Sequence, residues 1–462
     1  MQIHFHGACR TVTGSQHEIR TGPGEGGKRI LLDVGAFQGP RALARKINTS
    51  FDFDPRTVDA VVLSHGHTDH CGNLPNLVRQ GYRGPIYCTA ATAAVTALML
   101  MDAAKIQEED AAYLNQKTNK TWQGEIVPLF TREDARQTIE QFVPIPYQQA
   151  HEFHEAPGVT VELRDAGHVV GSAAVRLTNL RTGKCLVFTG DVGRPNAPLV
   201  QNPDPFHEAD AVISECTYGG KTHAAIDTIP AILAGIVNDT AQRGGILMIP
   251  AFALGRTQAM VEILHELRNS NQIPHALPIF VDSPLALRLT DVHRRFLPLL
   301  DEQTRQLLEP FDFPSLTYVT TPQESRELND RRGTFVVIAG SGMCESGRIL
   351  HHLKHHIHDP RSTLLLPGYQ AADTLGRRLQ DGQRRVPILG DLIPVRARIE
   401  TLHGLSAHAD EHELTAYSQP LKSAQFYLVH GEVAQAQAHA ASLQQAGFPP
   451  PIIATRGDVA DI

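Results

Sequence analysis

The chain has no long hydrophobic run. None of its apolar stretches reaches the roughly 20 residues a helix needs to cross a bilayer, which excludes a helical membrane protein. The opening residues MQIHFHGACR lack the pattern of a secretory signal, so a cytoplasmic location is expected. Cysteine is sparse: Cys9, Cys71, Cys88, Cys185, Cys216 and Cys344 show no paired spacing, which argues against a disulfide framework and suits small buried side chains in a reducing compartment. Positive charge is not in excess either. With 42 basic and 49 acidic residues the formal charge is −7, which weighs against a protein that holds nucleic acid by bulk charge. A local basic surface is still compatible with the run Arg377, Arg378, Arg384, Arg385, Arg396 and Arg398, although most such runs are solvated faces. Internal repeats and low-complexity linkers are absent.

At 462 residues the chain exceeds the usual limit of a single core, so two domains are expected. The first third alternates short apolar strands with glycine-rich turns, as in RILLDVG, DAVVLSH, GPIYCT, GVTVELRDAGH and KCLVFTGD. A helical stretch, TAAVTALMLMDAAKIQEEDAAYL, interrupts them. The strands end on polar residues, among them Asp33, His65, His168 and Asp191, which is how open sheets gather a site at one edge. From about residue 220 strand and helix alternate: GGILMIPAF leads into GRTQAMVEILHELR, LPIFVDSP into LALRLTDVHRRF, and GTFVVIAGSG into GRILHHLKHH. This reads as a parallel α/β unit inserted into the first domain, with expected boundaries 1–219, 220–391 and 392–462.

The densest signal is VVLSHGHTDHCGNLP, where three histidines and an aspartate occupy six positions at the end of an apolar run. His65 and His67, two apart on an extended chain, point to the same side and can converge on one cation. Asp69 and His70 follow as the chain turns into a short helix, so they point elsewhere and suit a second cation. Imidazole and carboxylate ligands fit zinc best, then manganese or iron. The chain has 24 histidines, and a lone one is usually a surface or satisfied polar group; four ligand types in six positions are not.

These stretches, in order, resemble a β-CASP nuclease of the metallo-β-lactamase fold. Asp33 after a strand, HGHTDH, GHVVGS with His168, FTGD with Asp191 and LVHGE with His430 match the metallo-β-lactamase pattern. SECTYGG with Glu215, SAHAD with His408, and His430 again match the β-CASP marks, and PAFALGRTQ, DSPLA, GSGMCESGRILHHL and PGYQAADTLGR extend the likeness through almost the whole chain. The nearest in character are bacterial and archaeal homologues of the endonuclease subunit of the mRNA 3′-end cleavage and polyadenylation machinery. The resemblance implies an αββα sandwich with an inserted parallel α/β domain and two Zn2+ ions. His65, His67 and His168 would hold one ion, Asp69, His70 and His430 the other, with Asp191 bridging. Such a pair lowers the pKa of bound water toward about 7 and clamps a phosphate. His408 is then the general acid, Glu215 its orienter, and Asp33 the partner of a ligand histidine or of the attacking water; Asp69 is counted with these as catalytic.

The implied activity is hydrolysis of single-stranded RNA, giving 3′-hydroxyl and 5′-phosphate ends. His430 favours RNA over DNA, because DNA-directed members usually carry a small apolar residue there. Small-ester hydrolases of the same core lack the inserted domain, and a non-catalytic scaffold would have lost ligands that this chain keeps. The chain stops soon after His430, where ribonuclease J types continue into a further domain, so an endonuclease is expected over a 5′-exonuclease. Ser341, Gly342 and Arg348 in GSGMCESGR, with Arg377 and Ser406, are the expected phosphate or RNA contacts; the bland alternative for a Gly/Ser stretch is a plain turn. A homodimer is compatible with the pattern. The stretch HHLKHHIH offers i,i+4 histidine pairs, but it coincides with a helix used for packing. His4 and His6 read as strand residues, and GACRTVTGS as a hairpin beneath the site.

Overall fold

The computed structural model describes residues 1–22, 27–117, 125–307 and 309–462. They form two compact units, one of Met1–Pro195, Asn202–Thr222 and His408–Ile462, the other of Asn196–Gln201 and His223–Ala407.

The first unit is built on two seven-stranded sheets. In one, strand Gln2–Phe5 pairs with Val459–Asp461 and His17–Arg20; Arg29–Leu32, Ala60–Val62, Ile86–Cys88 and Phe142–Pro144 follow in order. In the other, Ile452–Ile453, Gln425–Val429, Ala211–Glu215, Cys185–Phe188, Ala173–Asn179, Val159–Asp165 and His151–Glu152 lie side by side. Period-two alternation sorts their side chains. Ile30, Leu32 and Val62 enter a shared core with Val161, Val175, Leu186 and Ile213 of the facing sheet. Leu31 and Val61 point the other way, onto the helical layer of Leu74, Leu77, Leu100 and Ala104. On the far side Val212, Phe426 and Leu428 meet Ala436 and Leu443 of helix Val433–Gln445. The result is the expected αββα sandwich.

The second unit has one six-stranded sheet whose strands all run parallel: Leu316–Tyr318, Ile279–Asp282, Phe335–Ala339, Ile246–Pro250, Thr363–Leu366 and Arg398–Thr401. The central strands Ile246–Pro250 and Phe335–Ala339 are buried along their whole length, which is why they read as continuous apolar runs. Helix Arg256–Asn269 buries Met260, Ile263, Leu264 and Leu267 at helical spacing. Helix Pro284–Arg295 starts where Ser283 accepts the Ala286 N–H and proline takes the first turn.

The chain returns to the first compact unit at His408. Arg398–Thr401 pairs in parallel with Thr363–Leu366 and so belongs to the second sheet, preceded by a hairpin of Arg385–Ile388 and Asp391–Pro394. No described helix is long and apolar enough to cross a membrane. All six cysteines are free; Cys71, Cys88, Cys216 and Cys344 are buried, and burial pushes the Cys344 thiol up to about 12.

Candidate metal centre

Three groups of metal-capable side chains lie in the first unit: His65 with His67, His168 and Asp191; Asp69 with His70 and His430; and Asp191 with Glu215 and His408. Strand Ala60–Val62 ends three residues before His65, and Thr68–Cys71 then forms a single helical turn that begins at His67. That turn is gripped through its backbone. Val34 N–H donates to the His70 carbonyl (2.9 Å), Ala36 N–H to Thr68 (3.0 Å) and Ser15 N–H to Asp69 (2.8 Å). Gly35 lies so close that an added Cβ would sit 1.6 Å from the Asp69 carbonyl oxygen, so only glycine fits. His168, Asp191 and His430 stand just beyond strands Val159–Asp165, Cys185–Phe188 and Gln425–Val429. His430 takes a left-handed backbone (φ 48°), and its N–H donates to Ala8 of the GACRTVTGS loop at 2.6 Å.

The hydrogen bonds fix which ring nitrogens face inward. Asp33 is fully buried and accepts from Ser64 N–H (2.8 Å), Ser64 Oγ (2.9 Å), Ser15 Oγ (3.3 Å) and His70 Nδ1 (2.6 Å). Ser64 Oγ, having given its proton to Asp33, accepts from His65 Nδ1 at 3.0 Å. Thr217 Oγ1 donates to the His430 carbonyl and accepts from His430 Nδ1, both at 3.0 Å. His65, His70 and His430 therefore turn Nε2 toward the site. His70 Nε2 and His430 Nε2 lie 3.3 Å apart, and His67 Nδ1 lies 3.0 Å from His65 Nε2 and 3.1 Å from His168 Nε2.

Lone pairs facing one another at such distances repel unless a cation stands between them. Two nitrogens on one tetrahedral zinc, each at about 2.0–2.1 Å, lie about 3.3–3.4 Å apart. Asp191 divides its carboxylate between the clusters. Oδ2 is 3.5 Å from His65 Nε2 and 3.5 Å from His168 Nε2, while Oδ1 is 3.2 Å from His70 Nε2 and 3.4 Å from His430 Nδ1. Oδ1 is buried yet accepts no aligned hydrogen bond. An orphaned anionic oxygen amid inward-facing imidazoles fits a metal.

Charge is strongly perturbed here. Burial lowers His65 well below the usual imidazole range and His67 to about 4, against the pull of Asp191 on both and of Asp69 on His67. For His70 burial is outweighed by the Asp191 and Asp33 carboxylates, which raise it well above that range. Burial likewise opposes the charge of Asp191, but His430, His70 and His408 hold its carboxyl well below the ordinary value. The two carboxylates thus favour positive charge at His70, whether a proton or a cation.

His408 and Glu215 border the same carboxylate. His408 Nδ1 is 3.2 Å from Glu215 Oε2 and 3.8 Å from Asp191 Oδ2, with 22% of its side chain exposed. Glu215 is buried, and its Oε1 also accepts from Val192 N–H at 2.5 Å. Burial disfavours the charged ring, but Glu215 and Asp191 prevail and raise His408 to about 9.

The structure therefore brings His65, His67, Asp69, His70, His168, Asp191, Glu215, His408 and His430 together. Asp33, expected among the catalytic residues, lies behind His70 and accepts from its Nδ1 at 2.6 Å. Ser64 and Thr217 went unread, although both lie inside the stretches LSHGH and SECTYGG.

Ser341, Gly342, Arg348, Arg377 and Ser406 belong to the second unit. Arg348, expected to contact phosphate, donates to buried Asp282 (2.5 Å) and to the carbonyls of Val319 (3.1 Å) and Thr320 (3.2 Å). Ser341 Oγ accepts from Glu345 and Ser346 N–H, and Arg377 pairs with Asp381 at 2.9 Å. His352 Nε2 donates to Asp282 at 2.8 Å, and no metal-capable group among the described residues includes any histidine of HHLKHHIH.

The same regions match three family models: the metallo-beta-lactamase superfamily over residues 19–215, the Beta-Casp domain over 257–379, and the Zn-dependent metallo-hydrolase RNA specificity domain over 392–453. Ribonuclease TTHA0252 of Thermus thermophilus is 37% identical over 436 residues, covering 94% of this chain and 93% of its own. Transcription termination factor FttA of Methanocaldococcus jannaschii is 30% identical over 451 residues, covering 94% of this chain and 67% of its own. An RNase J-like protein of the same organism is 27% identical over 466 residues, covering 100% of this chain and 99% of its own. With its ligand set in this order and its likeness spanning both units, the chain belongs to the β-CASP family of metallo-β-lactamase-fold proteins and is a metal-dependent hydrolase.

Proposed function

We propose that the protein is a zinc ribonuclease that cuts single-stranded RNA internally, leaving 3′-hydroxyl and 5′-phosphate ends. One observation carries this reading: Asp191 is split between two imidazole sets, and the His408–Glu215 pair borders the same carboxylate. His65, His67 and His168 would hold one zinc, Asp69, His70 and His430 the second, and Asp191 both. Held there, zinc would supply Lewis-acid charge at the scissile phosphate and would acidify water toward neutral pH.

The remaining steps belong to side chains. The departing ribose O3′ is a poor leaving group, and His408 gives it a proton. Glu215 keeps His408 protonated and turns Nδ1–H toward itself, which leaves Nε2–H to donate. Asp33 and Ser64 fix the tautomers of His70 and His65, and Thr217 fixes that of His430. RNA as substrate is supported by the RNA specificity model at 392–453 and by the relatives named ribonuclease.

A second reading, trimming from the 5′ end, is supported by the RNase J-like relative. It aligns over 99% of its own length, so chain length does not favour internal cutting. The test is a zinc-replete protein incubated with RNA labelled at either end and with circular RNA. Internal cutting opens the circle and yields 5′-phosphates; mononucleotides from linear RNA with an intact circle mean trimming; no cleavage of either overturns both readings.

A further inference from the structure

Among the described residues the exposed members of Phe, Tyr and Trp are three: Tyr113, Phe252 and Tyr369. Two of them lie on loops that follow neighbouring strands. Phe252 follows strand Ile246–Pro250 and Tyr369 follows Thr363–Leu366, neighbours in the second unit's parallel sheet, at the carboxyl edge where open α/β sheets bind ligands. A third loop, after Phe335–Ala339, brings Gly342 under the Phe252 ring, where an added Cβ would lie 2.8 Å from two ring carbons.

The three loops are tied to one another. Ala251 N–H donates to Ala339 (3.0 Å), Gln370 Nε2 to the Gly342 carbonyl (3.1 Å), and Arg256 to the Pro367 carbonyl. The Phe252 carbonyl in turn accepts from Thr257 N–H (3.3 Å) and Oγ1 (2.8 Å), which pins the loop to the start of helix Arg256–Asn269. Phe252 is nevertheless 50% exposed and Tyr369 53%. A single exposed apolar side chain needs no explanation. Two aromatic rings on braced neighbouring loops, with a guanidinium beside them, are a preorganised surface for a flat ligand that carries negative charge.

We propose that Phe252 and Tyr369 form a nucleobase-stacking platform for single-stranded RNA, with Arg256 supplying positive charge next to it. The platform rests on the ribonuclease reading and extends it to how the substrate is held. Stacking suits a chain of net charge −7, because every base has a π face and such affinity needs few cations. It also tolerates any sequence.

The test uses the full chain and a fluorescein-labelled oligouridylate, followed by anisotropy in a His408→Ala background so that the probe survives. Zinc content and thermal midpoint check that each variant folds. Phe252→Ala and Tyr369→Ala should each weaken binding by roughly 10- to 100-fold. Phe252→Leu keeps an apolar side chain without a π face and should stay weak. Phe252→Trp should bind like the parent, with its added indole emission quenched by RNA. Gly342→Ala pushes on the ring and should weaken binding as well. Parent-like affinity in both alanine variants, or rescue by leucine, overturns the platform alone; failure of the His408→Ala parent to bind RNA overturns it together with the ribonuclease reading.

Discussion

Replacing His408 with alanine separates the two halves of the proposed reaction. The ring sits 3.2 Å from Glu215 Oε2 and 3.8 Å from Asp191 Oδ2, so its removal deletes a proton donor and leaves the His65, His67, His168 set and the Asp69, His70, His430 set whole. Glu215 keeps the Val192 N–H (2.5 Å) and Thr217 N–H (3.4 Å), and Ala409 N–H still donates to the Val192 carbonyl (2.7 Å), so the local fold is retained. Loss of a general acid costs about 100-fold or more in rate. On single-stranded RNA, His408→Ala should show that loss with zinc content unchanged. On a p-nitrophenyl phosphodiester, whose leaving group departs without a proton, it should react nearly as fast as the parent. Glu215→Gln should lose less on RNA, since only the orienting charge goes. The alkaline side of the rate profile should follow the same logic. His408 lies at about 9 in the metal-free protein, and bound cations oppose its charge, so the parent's RNA rate should fall as pH rises through a value at or below 9; this limb should be missing in the variant. Equal losses on the two substrates would refute the acid assignment and make His408 a positioning residue.

Four further outcomes follow from the same geometry. Asp191→Asn should strip both metals, whereas His430→Ala should mainly weaken the second, as elemental analysis after gel filtration will read. Thr217→Val removes the aligned acceptor of the His430 Nδ1–H and leaves Asp191 Oδ1, 3.4 Å away, to compete for it, so metal affinity should drop by about 10- to 100-fold in a chelator competition. Zinc uptake should release protons and tighten as pH rises, because a cation must displace the proton that Asp191 and Asp33 hold on buried His70; calorimetry in buffers of different ionisation enthalpy counts them. In the second unit, burial and the nearby Asp301 raise Glu262 to about 8, so its protonated form favours the fold; that contribution is whole below the unfolded value near 4.5 and is lost as pH rises through 8. Glu262→Gln should flatten the pH dependence of urea unfolding over that window and gain a few kcal/mol at pH 8.5.

The centre was legible where its ligands are adjacent in sequence. HGHTDH places four of the seven clustered side chains on one loop and one helical turn, strand ends pointed to His168 and Asp191, and His430 came with the family resemblance. Ser64 and Thr217 were not legible, because a hydroxyl that orients an imidazole looks like any turn serine or threonine until the ring is placed. The partner of Arg348 was not legible either, because the buried Asp282 that its guanidinium meets lies far upstream in the chain. RIET, with charged residues at alternate positions, does not read as a strand. It forms the sheet's edge, where one row of backbone groups stays unpaired and charged side chains are tolerated. The short closing strand Val459–Asp461, VAD, was missed because only its pairing with Gln2–Phe5 makes it a strand.

The most direct test of the central claim is metal stoichiometry by elemental analysis of protein purified without chelator and supplemented with zinc. The geometry of Asp191 predicts close to two zinc per chain for the parent and close to none for Asp191→Ala. One zinc per chain in the parent, or two retained without Asp191, would contradict the bridged two-metal account.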